Sequence, residues 1–241
     1  MGISNTWFRF KQFTIEQARC AMKVTTDACI QGAWTPVQAG VSRVLDIGTG
    51  TGLLALMLAQ RDPGITIDAI ELDHEAAEQA SENIAASPWS ERINILEGDV
   101  CKFPFSHKYD LIITNPPFFN NSLLSGNAQK DVARHTLTLS YDDLLQVMDD
   151  NLTKDGYASI LLPYPEYQEW SQIAGGKGWN EHGRLHVRHR QGAAVKRVVG
   201  LFSRDSVAIN EQELVIQDGH GKYTPAFSQL LSPYYLDLLP H

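Results

Sequence analysis

The chain has 241 residues, 43% of them apolar, and a formal net charge of −8. That suits a soluble globular protein with one large α/β core or two small ones; no apolar run approaches bilayer length, and Arg9, Lys11, Glu16 and Arg19 break up any signal-peptide core. Three cysteines (Cys20, Cys29, Cys101) without a C-x-x-C pair suggest neither a disulfide framework nor a zinc site, so free thiols, no bound metal and a cytoplasmic location are expected.

In chain order, residues 43–47 form a short apolar strand and 53–60 a helix. Residues 66–72 alternate like a strand, and 75–86 read as an Ala- and Glu-rich helix behind a candidate N-cap, Asp73. Residues 93–96 and 109–114 are further strands, 141–152 a helix ended near Gly156, 157–162 a fifth strand, and 166–174 a helix before a Gly-Gly turn. This alternation predicts a mostly parallel sheet with helices on both faces. The tail departs from it. Residues 184–190 and 197–204 are strand-like and joined through Gln191-Gly192-Ala193, a connection short enough to require an antiparallel pair.

Charge is distributed unevenly. Residues 1–43 hold five basic and two acidic residues, 44–160 seven and eighteen, and 161–241 eight of each. Between Arg184 and Arg204 stand six basic residues, Arg184, Arg188, Arg190, Lys196, Arg197 and Arg204, and no acid. Such a stripe is either a phosphate-binding surface or a solvated strand face.

Between the first strand and the first helix lies Asp46-Ile47-Gly48-Thr49-Gly50-Thr51-Gly52. Glycines at alternate positions let the backbone turn sharply and approach a ligand. Leu53 stands where the dinucleotide fingerprint needs its third glycine, which argues against a nicotinamide cofactor. Glu71 ends the second strand, where a carboxylate can accept from ribose hydroxyls, and Asp99 follows the third, where it can accept from an adenine amino group. Ligands bind at such carboxyl ends in open α/β sheets.

The fourth strand runs into Asn115-Pro116-Pro117-Phe118. The Asn115 side-chain oxygen and the Pro116 carbonyl can accept from the two N–H bonds of a planar amine, restoring electron density to its nitrogen. Pro116 and Pro117 hold the backbone in place, and Phe118 offers a face for a base to stack on. That arrangement calls for no metal and no covalent nucleophile.

The Gly loop with the Asn115 tetrad resembles the amino-group methyltransferases, and the expected sheet is similar to that of class I, Rossmann-like methyltransferases. Residues 8–13 (FRFKQF), 20–27 (CAMKVTTD), Gly32-Ala33-Trp34, Asn83 to Trp89 with its Ser-Pro-Trp, and Tyr223-Thr224-Pro225-Ala226-Phe227 extend the resemblance over nearly the whole chain, to the bacterial tRNA1(Val) adenine-37 N6-methyltransferase family. The resemblance implies S-adenosyl-L-methionine as cofactor and a tRNA adenine beside the anticodon as substrate. Asp46, Gly48, Gly50, Gly52, Glu71, Asp99 and Asn115 would hold the cofactor, and Asn115, Pro116, Pro117 and Phe118 the acceptor base. Lys23, Thr26 and Asp27 would close over the methionine end, although Thr25 stands where that family more often has glycine. Arg184, Arg188, Arg190, Lys196 and Arg197 become candidate RNA contacts. One domain is expected, with residues 1–42 and 205–241 as extensions of a 43–204 core, residues 119–139 as a lid or an uninvolved surface loop, and no obligate protein partner or membrane. The rival activity is a protein glutamine-N5 methyltransferase using the same tetrad; the 43 residues before the Gly loop are few for that family's separate helical domain.

Overall fold

The computed structural model describes residues 5–116 and 139–238. A small antiparallel hairpin, β1 (Trp7–Arg9) and β2 (Thr14–Glu16), precedes helix α1 (Thr26–Trp34). Alternating elements follow: β3 (Arg43–Ile47), α2 (Leu53–Arg61), β4 (Thr66–Glu71), α3 (His74–Ala85), β5 (Ile93–Glu97), β6 (Tyr109–Thr114), α4 (Tyr141–Asn151), β7 (Leu152–Pro163) and α5 (Tyr164–Gly176). The last elements are β8 (Asn180–Arg190), β9 (Val195–Ser203), β10 (Asn210–Gln217) and α6 (Pro225–Leu231).

Strands β3 to β10 form an eight-stranded sheet in the order β10-β8-β9-β7-β6-β3-β4-β5. Strand β9 runs antiparallel to both its neighbours, β7 and β8, and every other pairing is parallel. The expected class I arrangement is therefore present, with one extension. The sheet does not end at the β8–β9 hairpin, because β10 adds alongside β8 and buries Leu214 and Ile216. Strand β7 also begins earlier than expected, directly after α4. Its first residue, Leu152, pairs with Tyr109, and a register irregularity accommodates the polar residues 153–155.

Both faces of the sheet are covered. Residues of α1, α2, α3 and α6 share one core with the hairpin residues Phe10, Phe13 and Ile15; α4 and α5 build the other around Tyr167 and Trp170. Coverage on both sides explains why four of the five residues of β3 are buried, Val44, Leu45 and Ile47 with Asp46 among them. In α2, residues 53–59 are all buried, each large aliphatic side chain contributing about 1.5–3 kcal/mol by leaving water. Helix α3 is capped as its sequence suggests, with the Asp73 carboxylate accepting from the Ala76 amide at 2.9 Å. Among the described residues no helix is long and apolar enough to cross a membrane.

The register aligns the strand ends that matter. Ile47 lies beside Ile70 on one side and Thr114 on the other, and Ile70 beside Leu96. The Gly loop, Glu71, Asp99 and Asn115 therefore emerge at one end of the sheet.

Candidate active site

The loop from β3 to α2 is fastened to the end of β4. The amides of Gly48 and Thr49 both donate to the Ile70 carbonyl, at 2.9 and 3.2 Å, and the Gly50 amide donates to Glu71 Oε2 at 2.9 Å. Gly52 caps α2 with φ of 81°, a left-handed conformation that favours glycine, and a Cβ there would press on Ile84 Cδ1 at 2.7 Å. Above Gly48 and Gly50 a Cβ would meet nothing within 4 Å. Their positive φ turns bare backbone toward open space, which is room for a ligand.

Three carboxylates surround that space in different states. Asp46 is fully buried, with Oδ2 accepting from the Thr49 hydroxyl at 2.6 Å and Oδ1 without a partner. Burial pushes its pKa up to about 7, and the Thr49 hydroxyl opposes the shift. Glu71 accepts from Gly50 on Oε2 and from the Leu72 and Asp73 amides on Oε1. Three of roughly four acceptor positions are taken, leaving one for a ligand hydroxyl. Asp99 accepts from the Cys101 amide at 3.0 Å and pairs with Lys102 at 2.7 Å, and chiefly Lys102 holds its pKa below the ordinary range.

At the end of β6 the Thr114 hydroxyl donates to the Ile47 carbonyl at 3.0 Å, tying the tetrad to the Gly loop. Asn115 Oδ1 is buried without a partner, while Nδ2 donates to Met22 Sδ at 3.8 Å. Pro116 is buried; Pro117 and Phe118 lie outside the described residues, as does the proposed lid except Leu139.

The sequence has counterparts among known proteins. A family model for the methyltransferase small domain matches residues 35–146. A tRNA1(Val) (adenine(37)-N6)-methyltransferase of Dyadobacter fermentans is 43% identical over 236 residues, covering 96% of this chain and 98% of that one. The chain belongs to that family. A tRNA1(Val) (adenine(37)-N6)-methyltransferase of Yersinia pseudotuberculosis is 42% identical, with 95% and 92% of the two chains covered. Among solved structures, a protein of Agrobacterium tumefaciens described as a predicted O-methyltransferase superimposes with a TM-score of 0.65 at 19% identity, over 86% of this chain and 96% of that one. A ribosomal protein L11 methylase of Lactobacillus delbrueckii gives 0.56 at 19% identity, over 80% and 84%. At such identities these two speak for the fold alone.

In this member of the tRNA1(Val) (adenine(37)-N6)-methyltransferase family, one residue of the N-terminal segment, Met22, contacts Asn115. Lys23 Nζ donates to the Asn5 carbonyl at 3.0 Å, and the Thr26 side chain hydrogen-bonds the Tyr235 hydroxyl. Asp27 pairs with Arg197 at 3.3 Å, and burial raises its pKa against the pull of Arg197 and His189. Thr25 takes an extended conformation (φ −119°) and caps α1 through its hydroxyl, so glycine is not required there.

The basic stripe looks different in three dimensions. Arg184 pairs with Glu181 and Glu211, Arg188 with Glu213, and Arg204 with Asp149, while Arg190 Nε donates to Gln217 Oε1 at 3.4 Å. The 184–204 stretch has no acid of its own, but other segments supply them. Lys196 is exposed and has no ion pair among the described residues. Arg190 and Lys196 flank the β8–β9 turn, at the same end of the sheet as Asn115.

Two contacts were not anticipated from the sequence. Met22 touches Asn115, and Gln31, fully buried in α1, bonds the carbonyl of Thr114. A polar residue amid the apolar Ala28–Trp34 run was the only signal for Gln31.

Proposed function

We propose that this chain transfers the methyl group of S-adenosyl-L-methionine to N6 of an adenine in tRNA, adenine 37 of tRNA1(Val), leaving S-adenosyl-L-homocysteine. The observation that carries this reading is Asn115 Oδ1, a buried acceptor without a donor beside an open Gly loop, in a chain 43% identical to a protein named for that activity. A polar atom buried without a partner is costly unless a ligand completes it.

The residues present fit the cofactor. The unpartnered Asp46 Oδ1 suits a ligand with positive charge, the open acceptor position of Glu71 suits a hydroxyl, and the space over Gly48 and Gly50 admits a close backbone approach. Asp46, Gly48, Gly50, Gly52, Glu71, Asp99 and Asn115 would hold it, with Lys23 and Thr26 in the covering segment. When bound, it supplies an electrophilic methyl group. The chain's own residues prepare the nitrogen. Asn115 Oδ1 and the Pro116 carbonyl accept the two N–H bonds of the exocyclic amine, so its lone pair withdraws from the ring and becomes nucleophilic. Phe118, beside Pro117, stacks the base, worth about 1–3 kcal/mol. The surplus proton passes to solvent after methyl transfer, so no strong base is asked of Asn115. The rest is positioning.

An adenine in a single-stranded loop costs least to extrude into such a pocket. Arg190 and Lys196 are the first candidates for its phosphates, with Arg184, Arg188 and Arg197 restrained by their acids. In this reading residues 1–42, 43–204 and 205–241 act as one cytoplasmic methyltransferase domain without an obligate protein partner.

Labelled methyl transfer to total tRNA, followed by nucleoside analysis, tests the reading. N6-methyladenosine is expected, and Asn115→Ala should abolish its formation. Label appearing in a release-factor-like protein and none in RNA would transfer the assignment to glutamine-N5 methylation.

A further inference from the structure

The N-terminal segment holds the end of β6 at two points, the Thr114 carbonyl and the Asn115 side chain. Gln31 is fully buried, and its Nε2 donates to the Thr114 carbonyl at 2.9 Å and the Ser159 carbonyl at 3.2 Å. Thr114 is the last residue of β6 and directly precedes Asn115. Its hydroxyl is already committed to Ile47, so the residue is fixed through both its side chain and its carbonyl. The Ser159 hydroxyl lies 2.6 Å from that of Thr35, which locks the neighbouring strand to the same helix end. The second point is the side chain of Asn115. An amide can turn by half a rotation about its last bond, exchanging donor for acceptor. Met22 Sδ, a thioether that only accepts, stands 3.8 Å from Nδ2 and favours one of the two orientations. In that orientation Oδ1 is the buried, unpartnered atom. In the other, an NH2 group would face the N–H bonds of the acceptor amine, donor against donor.

We propose that Met22 and Gln31 are positioning residues for Asn115: Gln31 sets the backbone from which Asn115 leaves β6, and Met22 selects the amide orientation that presents Oδ1 to the substrate amine. The proposal rests on the amino-methyltransferase reading above. It also accounts for a methionine held 41% exposed at the mouth of the site. A weak hydrogen bond suffices for the task, since a rotamer preference of one such bond already shifts the population severalfold.

Three substitutions separate this role from a packing role. Met22→Leu keeps the bulk and removes the acceptor; Met22→Gln restores an acceptor on a side chain of similar length; Gln31→Met keeps the volume and removes the donor. Steady-state methylation of tRNA, cofactor affinity by calorimetry and thermal midpoints would be measured for each. Met22→Leu should lower kcat severalfold and Gln31→Met about tenfold or more, with KM for tRNA and cofactor affinity within about twofold, and Met22→Gln should recover most of the rate lost in Met22→Leu. An unchanged kcat in Met22→Leu, or a loss confined to KM or cofactor affinity, overturns the proposal. Should Gln31→Met fail to fold, the Met22 pair still decides, because that residue is exposed. A wild-type protein that methylates no RNA would instead overturn the underlying reading.

Discussion

Asp46 shows how far one buried carboxyl can be pushed by its place in the fold. Its ordinary pKa near 3.8 rises to about 7, through burial above all, with Glu71 adding to the shift and the Thr49 hydroxyl and Ala55 amide opposing it. A folded-state pKa above the unfolded one gives stability that is fully present below about pH 3.8 and lost as pH rises through about 7. The Asp46→Asn protein lacks this dependence. Its thermal midpoint relative to wild type should therefore climb between pH 5.5 and 8.5, read by scanning calorimetry. Its cofactor affinity should fall about tenfold at pH 8, because the charge that answers a cationic ligand is gone. Midpoints that move in parallel across that range would show that Asp46 is ionised throughout. At this scale the sequence was most legible where chemistry is tied to strand ends: Asp46, Glu71 and Asn115 all stand where their spacing placed them. Gln31 was not legible, since the carbonyl it bonds lies 83 residues away and no local pattern encodes that meeting.

At the scale of elements, the central strands and helices are readable because β3 carries Val44, Leu45 and Ile47 and α2 is apolar from Leu53 to Ala59, and because Asp73 announces the start of α3. The elements that escaped are the ones with little core to declare them. Strand β10 buries only Leu214 and Ile216 among its eight residues, and β1 and β2 are three residues each. Missing β10 had a consequence for charge. Its Glu211 and Glu213 lie opposite Arg184 and His186 in register and turn a seemingly unopposed basic stripe into a row of ion pairs. Phosphate contacts should therefore concentrate at the β8–β9 turn. Replacing Arg190 or Lys196 with Gln should weaken tRNA binding and reduce the slope of log K against log salt by about one each. Arg184→Gln should leave that slope unchanged and lower the thermal midpoint, because Glu181 would lose the partner that compensates its burial. Fluorescence anisotropy with tRNA at several salt concentrations gives these slopes. Equal slopes in wild type and both turn variants would return the stripe to a solvated strand face.

For the whole molecule, the alternation of elements foretold a parallel sheet, and the register then brings four distant strand ends to one side. The net charge of −8 is reconciled with an RNA substrate by location: Glu78, Glu82 and Asp149 of the central block pair with the molecule's own arginines, and the exposed Arg190 and Lys196 stand at the Asn115 end of the sheet. The N-terminal segment joins this assembly from outside the sheet, with Met22 in contact with Asn115 and Gln31 bonded to the Thr114 carbonyl. Mapping the product on transcribed tRNA1(Val), by nuclease digestion and mass spectrometry of the fragments, tests the assignment most directly. N6-methyladenosine confined to adenine 37, and absent when that position is transcribed as guanine, is the predicted result. Methylation elsewhere in the RNA, or only in protein, would contradict it.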